Sequence, residues 1–143
     1  MNSLKKIDYI SDWIKDYANS LSFQPVSLII GVSGGIDSAV TSALCAKSGF
    51  KTIAISMPIK QNLNQHDLSL KHIDWLKSSF DNVETKIIEL DNVFESFENT
   101  MQDFNSSLAF ANSRSRLRMV TLYQIAQANS GIVVGTGNKV EDF

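Results

Sequence analysis

Along residues 4–21, Ile7, Ile10, Ile14, Tyr17 and Leu21 recur every three or four positions, with polar and charged side chains between them. That period gathers the apolar positions on one stripe of an amphipathic helix. Phe23-Gln24-Pro25 ends it, because proline cannot continue a helix and restricts the residue before it. Residues 26–32 (VSLIIGV) are a short, mostly apolar run rich in β-branched side chains, which suits a strand buried on both faces. The helical period returns over 38–47 with Val40, Ala43, Leu44 and Lys47, and Gly49 follows as a stop.

The alternation then repeats. Residues 51–56 (KTIAIS) predict a second strand, and 68–80 a helix with Ile73, Trp75, Leu76 and Phe80 inward. Residues 84–90 (ETKIIEL) predict a third strand; Val93, Phe94, Phe97, Met101 and Phe104 mark the next helix. A longer helix is expected over 107–129, and a last strand over 131–134, closed by Gly135. Strands alternating with helices of this size predict an α/β fold, a three-layer, doubly wound parallel sheet with helices on both faces. In such sheets ligands bind beyond the carboxyl ends of the strands, where the strand order switches. The loops after Val32 and Val134 therefore belong to one edge of the sheet, about a hundred residues apart in sequence.

Length and composition narrow the classes. The 143 residues suffice for one domain, 1–143, and the sequence shows no internal repeat or linker-like stretch. A net charge of −2 gives no sign of a nucleic-acid partner or a membrane surface. No apolar run approaches the ~20 residues of a membrane span, and the N-terminus lacks the apolar block of a secretory signal. One cysteine, Cys45, cannot form an internal disulfide, so a cytoplasmic location is expected. Cys45, Trp13 and Trp75 read as packing residues. His66 and His72 have no carboxylate or cysteine partners at metal spacing and read as partly exposed helix residues.

The candidate chemistry lies in IIGVSGGIDSAV, residues 29–40. Gly34-Gly35 permits backbone conformations closed to other residues, and the loop opens a helix whose free N–H groups attract an anion such as phosphate. Ser33 and Ser38 can add hydroxyl donors. The Walker A pattern fails, because Ile36 and Asp37 stand where glycine and lysine are required. The dinucleotide pattern fails as well, at Ser33 and Ile36. An acid in an anion loop makes sense if Asp37 holds Mg²⁺ bridging to phosphate oxygens; the other reading of Asp37 is a helix N-cap.

SGGIDS in this setting resembles the ATP pyrophosphatase (PP-loop) superfamily, which implies cleavage of ATP between its α- and β-phosphates. Two further blocks narrow the choice: NSRSRLRMVTLY (112–123) and GTGNKVEDF (135–143) resemble ammonia-dependent NAD synthetases. That resemblance implies an adenine nucleotide alpha hydrolase-like fold and adenylation of the deamido-NAD carboxylate, then attack by ammonia to give NAD, AMP and pyrophosphate. It implies ATP contacts from Gly31, Val32, Ser33, Gly34, Gly35, Ile36, Asp37 and Ser38, with Thr136. It also implies magnesium at Asp37 and Glu141, and deamido-NAD contacts at Arg116 with Asn112 beside it. Arg114 and Arg118 share another helix face, where a solvated surface or pairing with acids is expected; Lys139 has two open readings, phosphate contact or loop lysine. The stretch Ser56-Met57-Pro58 falls where relatives wrap backbone around adenine.

The family continues past this point with a substrate loop, another strand and further helices, which the chain as given is expected to lack. Fewer than thirty residues precede the first strand, so free ammonia is the expected nitrogen source, and the family implies a homodimer. A tRNA-modifying sulfurtransferase or lysidine synthetase would share the glycine loop, but the acidic charge and single cysteine count against both. The rival from another class is a non-catalytic nucleotide-binding module of the same fold.

Overall fold

The computed structural model describes residues 2–60 and 63–138. Four strands, β1 (Ser27–Gly31), β2 (Lys51–Ser56), β3 (Val83–Ile87) and β4 (Gly131–Val133), form one parallel sheet in the order β3-β2-β1-β4. The helices among the described residues are α1 (Ser3–Ser20), α2 (Ile36–Lys47), α3 (Leu63–Ser79), α4 (Asp91–Thr100) and α5 (Ser107–Ala128).

β1 and β2 are the central strands, and their residues Leu28, Ile29, Ile30, Ala54 and Ile55 are fully buried. Alternation along them feeds two cores. Leu28, Ile30, Val32 and Ala54 meet Cys45, Ala46, Ile73 and Leu76 from α2 and α3 on one face. Ile29, Ile53 and Ile55 meet Phe94, Phe110, Leu122 and Ala126 from α4 and α5 on the other. From β1 through β3 the chain steps one way across the sheet on the α2/α3 face. It returns to β4 on the opposite face, as a single handedness of crossover requires. The order therefore switches between β1 and β4, which pair through Ser27–Gly131, Leu28–Ile132 and Ile29–Val133.

Several boundaries differ from the sequence reading. β3 ends at Ile87, not Leu90, because Leu90 already caps α4. The helix expected through Phe104 breaks at Met101 into α4 and a 3-10 turn, Gln102–Phe104. α2 starts at Ile36, with Gly35 at its N-cap, so Asp37 is a first-turn residue and the N-cap reading does not hold.

α1 shows the largest difference. Ile14 joins the α2/α3 core, but the residues α1 buries are small, Ser11 and Ala18. Ile7, Ile10 and Tyr17 from the predicted stripe are exposed. Trp13, expected in the packing, is 55% exposed and stacks on Tyr17, with ring centroids 5.3 Å apart. Trp75 is likewise half-exposed, edge-on to Phe80 and stacked against His72. Among the described residues no helix is long and apolar enough to cross a membrane.

Candidate active site

The glycine loop follows β1 directly, and its shape is set by two serines. Ser38, almost fully buried, donates its hydroxyl proton to the Gly35 carbonyl at 3.2 Å. Its oxygen accepts the Ser33 amide at 3.1 Å, and the Ser33 hydroxyl, 3.2 Å away, must then be the donor of that pair. Ser33 Oγ accepts the Gly35 amide in turn. Both hydroxyls, expected as donors to a phosphate, thus brace the loop from within. Gly34 carries φ +94°, and a Cβ there would collide with the backbone carbonyl of Gln65. Glycine is required at this position by backbone conformation and by space together.

A cavity of about 450 Å³ opens at the carboxyl edge of the sheet, over the switch point. Gly31, Val32, Ser33 and Ser38 line it from the glycine loop, and Val133, Val134, Gly135 and Thr136 from the exit of β4. Met57, Ile59 and Lys60 close it after β2, with Gln65 from α3. Five of the predicted ATP residues, Gly31, Val32, Ser33, Ser38 and Thr136, therefore line one cavity. Gly34 and Gly35 of the loop, and Ile36 and Asp37 in the first turn of α2, lie outside the lining. The α2 N-terminus, with Gly35 as cap, brings the positive end of a helix dipole to this edge.

The fourth wall is α5, which presents Ser115, Arg118, Met119 and Leu122. Their spacing of three, four and seven is one helical stripe, a signal available in the sequence. It places Arg118 at the cavity, contrary to the solvated or acid-paired surface expected for it. Its Nε donates to the Met57 carbonyl at 2.9 Å, where the helix passes over the β2 exit. Burial, and after it the charge of Arg114, pulls the Arg118 guanidinium below its ordinary value; a guanidinium remains protonated regardless. Arg114 also departs from the expectation, lying over the Phe94 ring at 5.4 Å from its centroid. Arg116 and Asn112 face the other way: both are exposed, and Arg116 Nη1 donates to the Asn112 carbonyl of its own helix. Neither lines the cavity, so a ligand held by them would reach the site from the outer side of α5.

Lys60 stands at the cavity mouth with a left-handed backbone, φ 46°, uncommon for a side chain larger than glycine. Its amide donates to Asp91 Oδ1 and its ammonium to Glu98 Oε1, each at 2.6 Å. No pattern of neighbouring residues in the sequence signalled that geometry.

Magnesium can be tested against the residues present. Asp37 is half-buried at the head of α2, and one of its oxygens accepts from Asn138. Among the described residues no three His, Cys, Asp or Glu side chains gather as a ligand set. A single carboxylate beside an anion cradle fits magnesium, which typically takes one or two carboxylates and draws its other ligands from phosphates and water. Glu141, the second carboxylate expected, and Lys139 lie outside the described residues.

The remaining candidates settle as structural groups. Cys45 is fully buried, and burial pushes its thiol up to about 12, so it is a core residue as expected. His66 and His72 are part-buried helix residues, also as expected.

Residues 6–143 match the family described as NAD synthase. The chain belongs to that family. It is 36% identical over 137 residues to the NH(3)-dependent NAD(+) synthetase of Mesoplasma florum, covering 92% of this chain and 53% of the relative. The corresponding protein of Finegoldia magna is 33% identical over 143 residues, 99% of this chain and 56% of its own length. The NH3-dependent NAD synthetase of Campylobacter jejuni, solved with a nitrate ion, superposes with a TM-score of 0.85 at 28% identity. That match covers 99% of this chain and 59% of the other. The NMN synthetase of Francisella tularensis gives a TM-score of 0.83 at 32% identity, covering 96% and 56%. The chain thus spans a little over half the length of the relatives it matches. The α/β fold seen here is the fold of these synthetases.

Proposed function

We propose that the protein to which this chain contributes is an ammonia-dependent NAD synthetase acting on ATP, deamido-NAD and ammonia. The observation that carries the reading is the glycine loop, which opens onto the cavity at the switch point with an acid where a Walker loop has its lysine. Family membership over residues 6–143 supports it. In the first step a carboxylate oxygen of deamido-NAD attacks the α-phosphorus of ATP; the bond from that phosphorus to the β-bridging oxygen breaks and pyrophosphate leaves. In the second step ammonia attacks the activated carbonyl carbon, AMP departs, and the nitrogen loses a proton to give the amide.

The chain's own groups divide that work. The Gly31–Ser38 loop and the α2 N-terminus receive the phosphates, and Thr136 completes the opposite wall. Magnesium, when held by Asp37 and Glu141, supplies charge neutralisation at the phosphates. Arg118 brings a half-buried positive charge to the α5 wall, where it serves the charge that develops around the α-phosphate. Arg116, with Asn112, takes the deamido-NAD from the exposed side of α5. We further place the protein in the cytoplasm as a homodimer, with neither nucleic acid nor membrane as a partner.

The reading is tested by incubating the full-length protein with Mg-ATP, ammonium and deamido-NAD, and measuring NAD and pyrophosphate together. Both are expected, in equal amounts; pyrophosphate no higher than with ATP alone would sink it. Asp37→Asn and Glu141→Gln are each expected to abolish magnesium-dependent turnover in a folded protein. The likeness to a protein named NMN synthetase motivates a second reading, in which the deamidated mononucleotide is the substrate. The same assay with that mononucleotide decides between them.

A further inference from the structure

Asp37 and Asn138 are 101 positions apart in sequence, yet Asn138 Nδ2 lies 2.7 Å from Asp37 Oδ2. A carboxylate only accepts, so the amide NH₂ must face it. Asp37 belongs to the first turn of α2 and Asn138 to the coil after β4, so the bond spans the switch point between β1 and β4. Both residues are half-buried, and among the described residues no lysine or arginine pairs with Asp37.

The chemistry of that partner matters. A lysine or arginine at this distance would neutralise the carboxylate and compete with any cation for it. A primary amide fixes the orientation of the group and leaves its full charge in place. It also occupies one oxygen and leaves the other for a ligand. We propose that Asn138 is a positioning residue that holds the Asp37 carboxylate in the orientation in which it binds magnesium–nucleotide. The proposal rests on Asp37 as a magnesium ligand, as given under Proposed function. It adds a structural link: the loop after β4 sets the metal affinity of the loop after β1.

The test is the affinity of Mn²⁺ for the protein–ATP complex, followed by the electron paramagnetic resonance of the free ion. ATP affinity in EDTA and the circular dichroism of the free protein are read alongside. Asn138→Ala is expected to weaken Mn²⁺ binding about 10- to 100-fold, the usual effect of removing a group that orients a ligand. ATP affinity in EDTA and the dichroism should not change, which a merely structural role would not predict. Asp37→Asn should lose Mn²⁺ affinity, and adding Asn138→Ala to it should cost nothing more, because the two side chains act as one unit. Unchanged Mn²⁺ affinity in Asn138→Ala, an equal loss of ATP affinity in EDTA, or full additivity in the double variant each overturns the proposal. If the wild type holds Mn²⁺–ATP no better than Asp37→Asn does, the reading of Asp37 as a ligand falls, and this proposal with it.

Discussion

Gly34 illustrates how one residue can decide the glycine loop. Its φ of +94° costs an L-residue about 1–2 kcal/mol, and a Cβ would also meet the Gln65 carbonyl, a backbone atom that cannot swing aside. Gly34→Ala is therefore expected to destabilise the fold by at least about that amount. It should also push α3 away from the loop and weaken ATP binding. Urea unfolding and ATP titration of the same variant check both effects. At this scale the sequence is readable where a residue type is its own signal, as with Gly34; Gly35 has an ordinary extended backbone, φ −85°, as the N-cap of α2. The sequence is less readable where the partner is distant: nothing near Asp37 in the chain announces Asn138, and the brace between Ser33 and Ser38 needs the loop to be folded.

Among the elements, α2 and α3 are joined by a titratable contact. Ser42 donates its hydroxyl to the Ala39 carbonyl, so at 2.8 Å the His72 Nε2–H is the donor to Ser42. Burial lowers the His72 pKa from 6.5, partly countered by a backbone hydrogen bond with Ala39. The folded state then binds fewer protons than the unfolded one between the lowered value and 6.5, so stability rises with pH through that window. Acidification from about pH 7.5 to about 5.5 is expected to lower the thermal midpoint, and His72→Gln to reduce that dependence. A midpoint whose pH slope is the same in both proteins would show that another group is responsible.

The elements themselves were well marked where an apolar period had only one structural use, as in β1, β2 and the two cores they feed. They were misread where a period fitted two neighbours. The period predicts a buried stripe on α1, yet α1 buries Ser11 and Ala18 with only Ile14 of that stripe against the core, while Ile7, Ile10 and Tyr17 are exposed. On α5 the arginines were sorted correctly into two faces, but which face meets the cavity depends on how the helix lies over Met57.

At the scale of the whole molecule, the sheet order places the site. The chain steps from β1 to β3 on one face and returns on the other, and this brings Thr136 and Asn138 to the glycine loop. Cys45 offers a reporter for the integrity of that arrangement, because it is fully buried between the sheet and α2 with its thiol pushed up to about 12. A thiol reagent at neutral pH is expected to label it only when the α2/α3 core opens, with a rate that rises in step with urea unfolding. Prompt labelling of the native protein would show that this core opens locally.

The sequence by itself determined the alternation of strands and helices, the glycine loop, and the resemblance that the family match over residues 6–143 bears out. These depend on local periodicity and on residue types whose chemistry is intrinsic. The tertiary structure decided which arginine enters the cavity, that the serine hydroxyls brace the loop, and that Asn138 holds Asp37. Each of these joins residues that only strand order and helix rotation bring together. Periodicity along the chain fixes which residues share a face, and packing between elements fixes what that face meets.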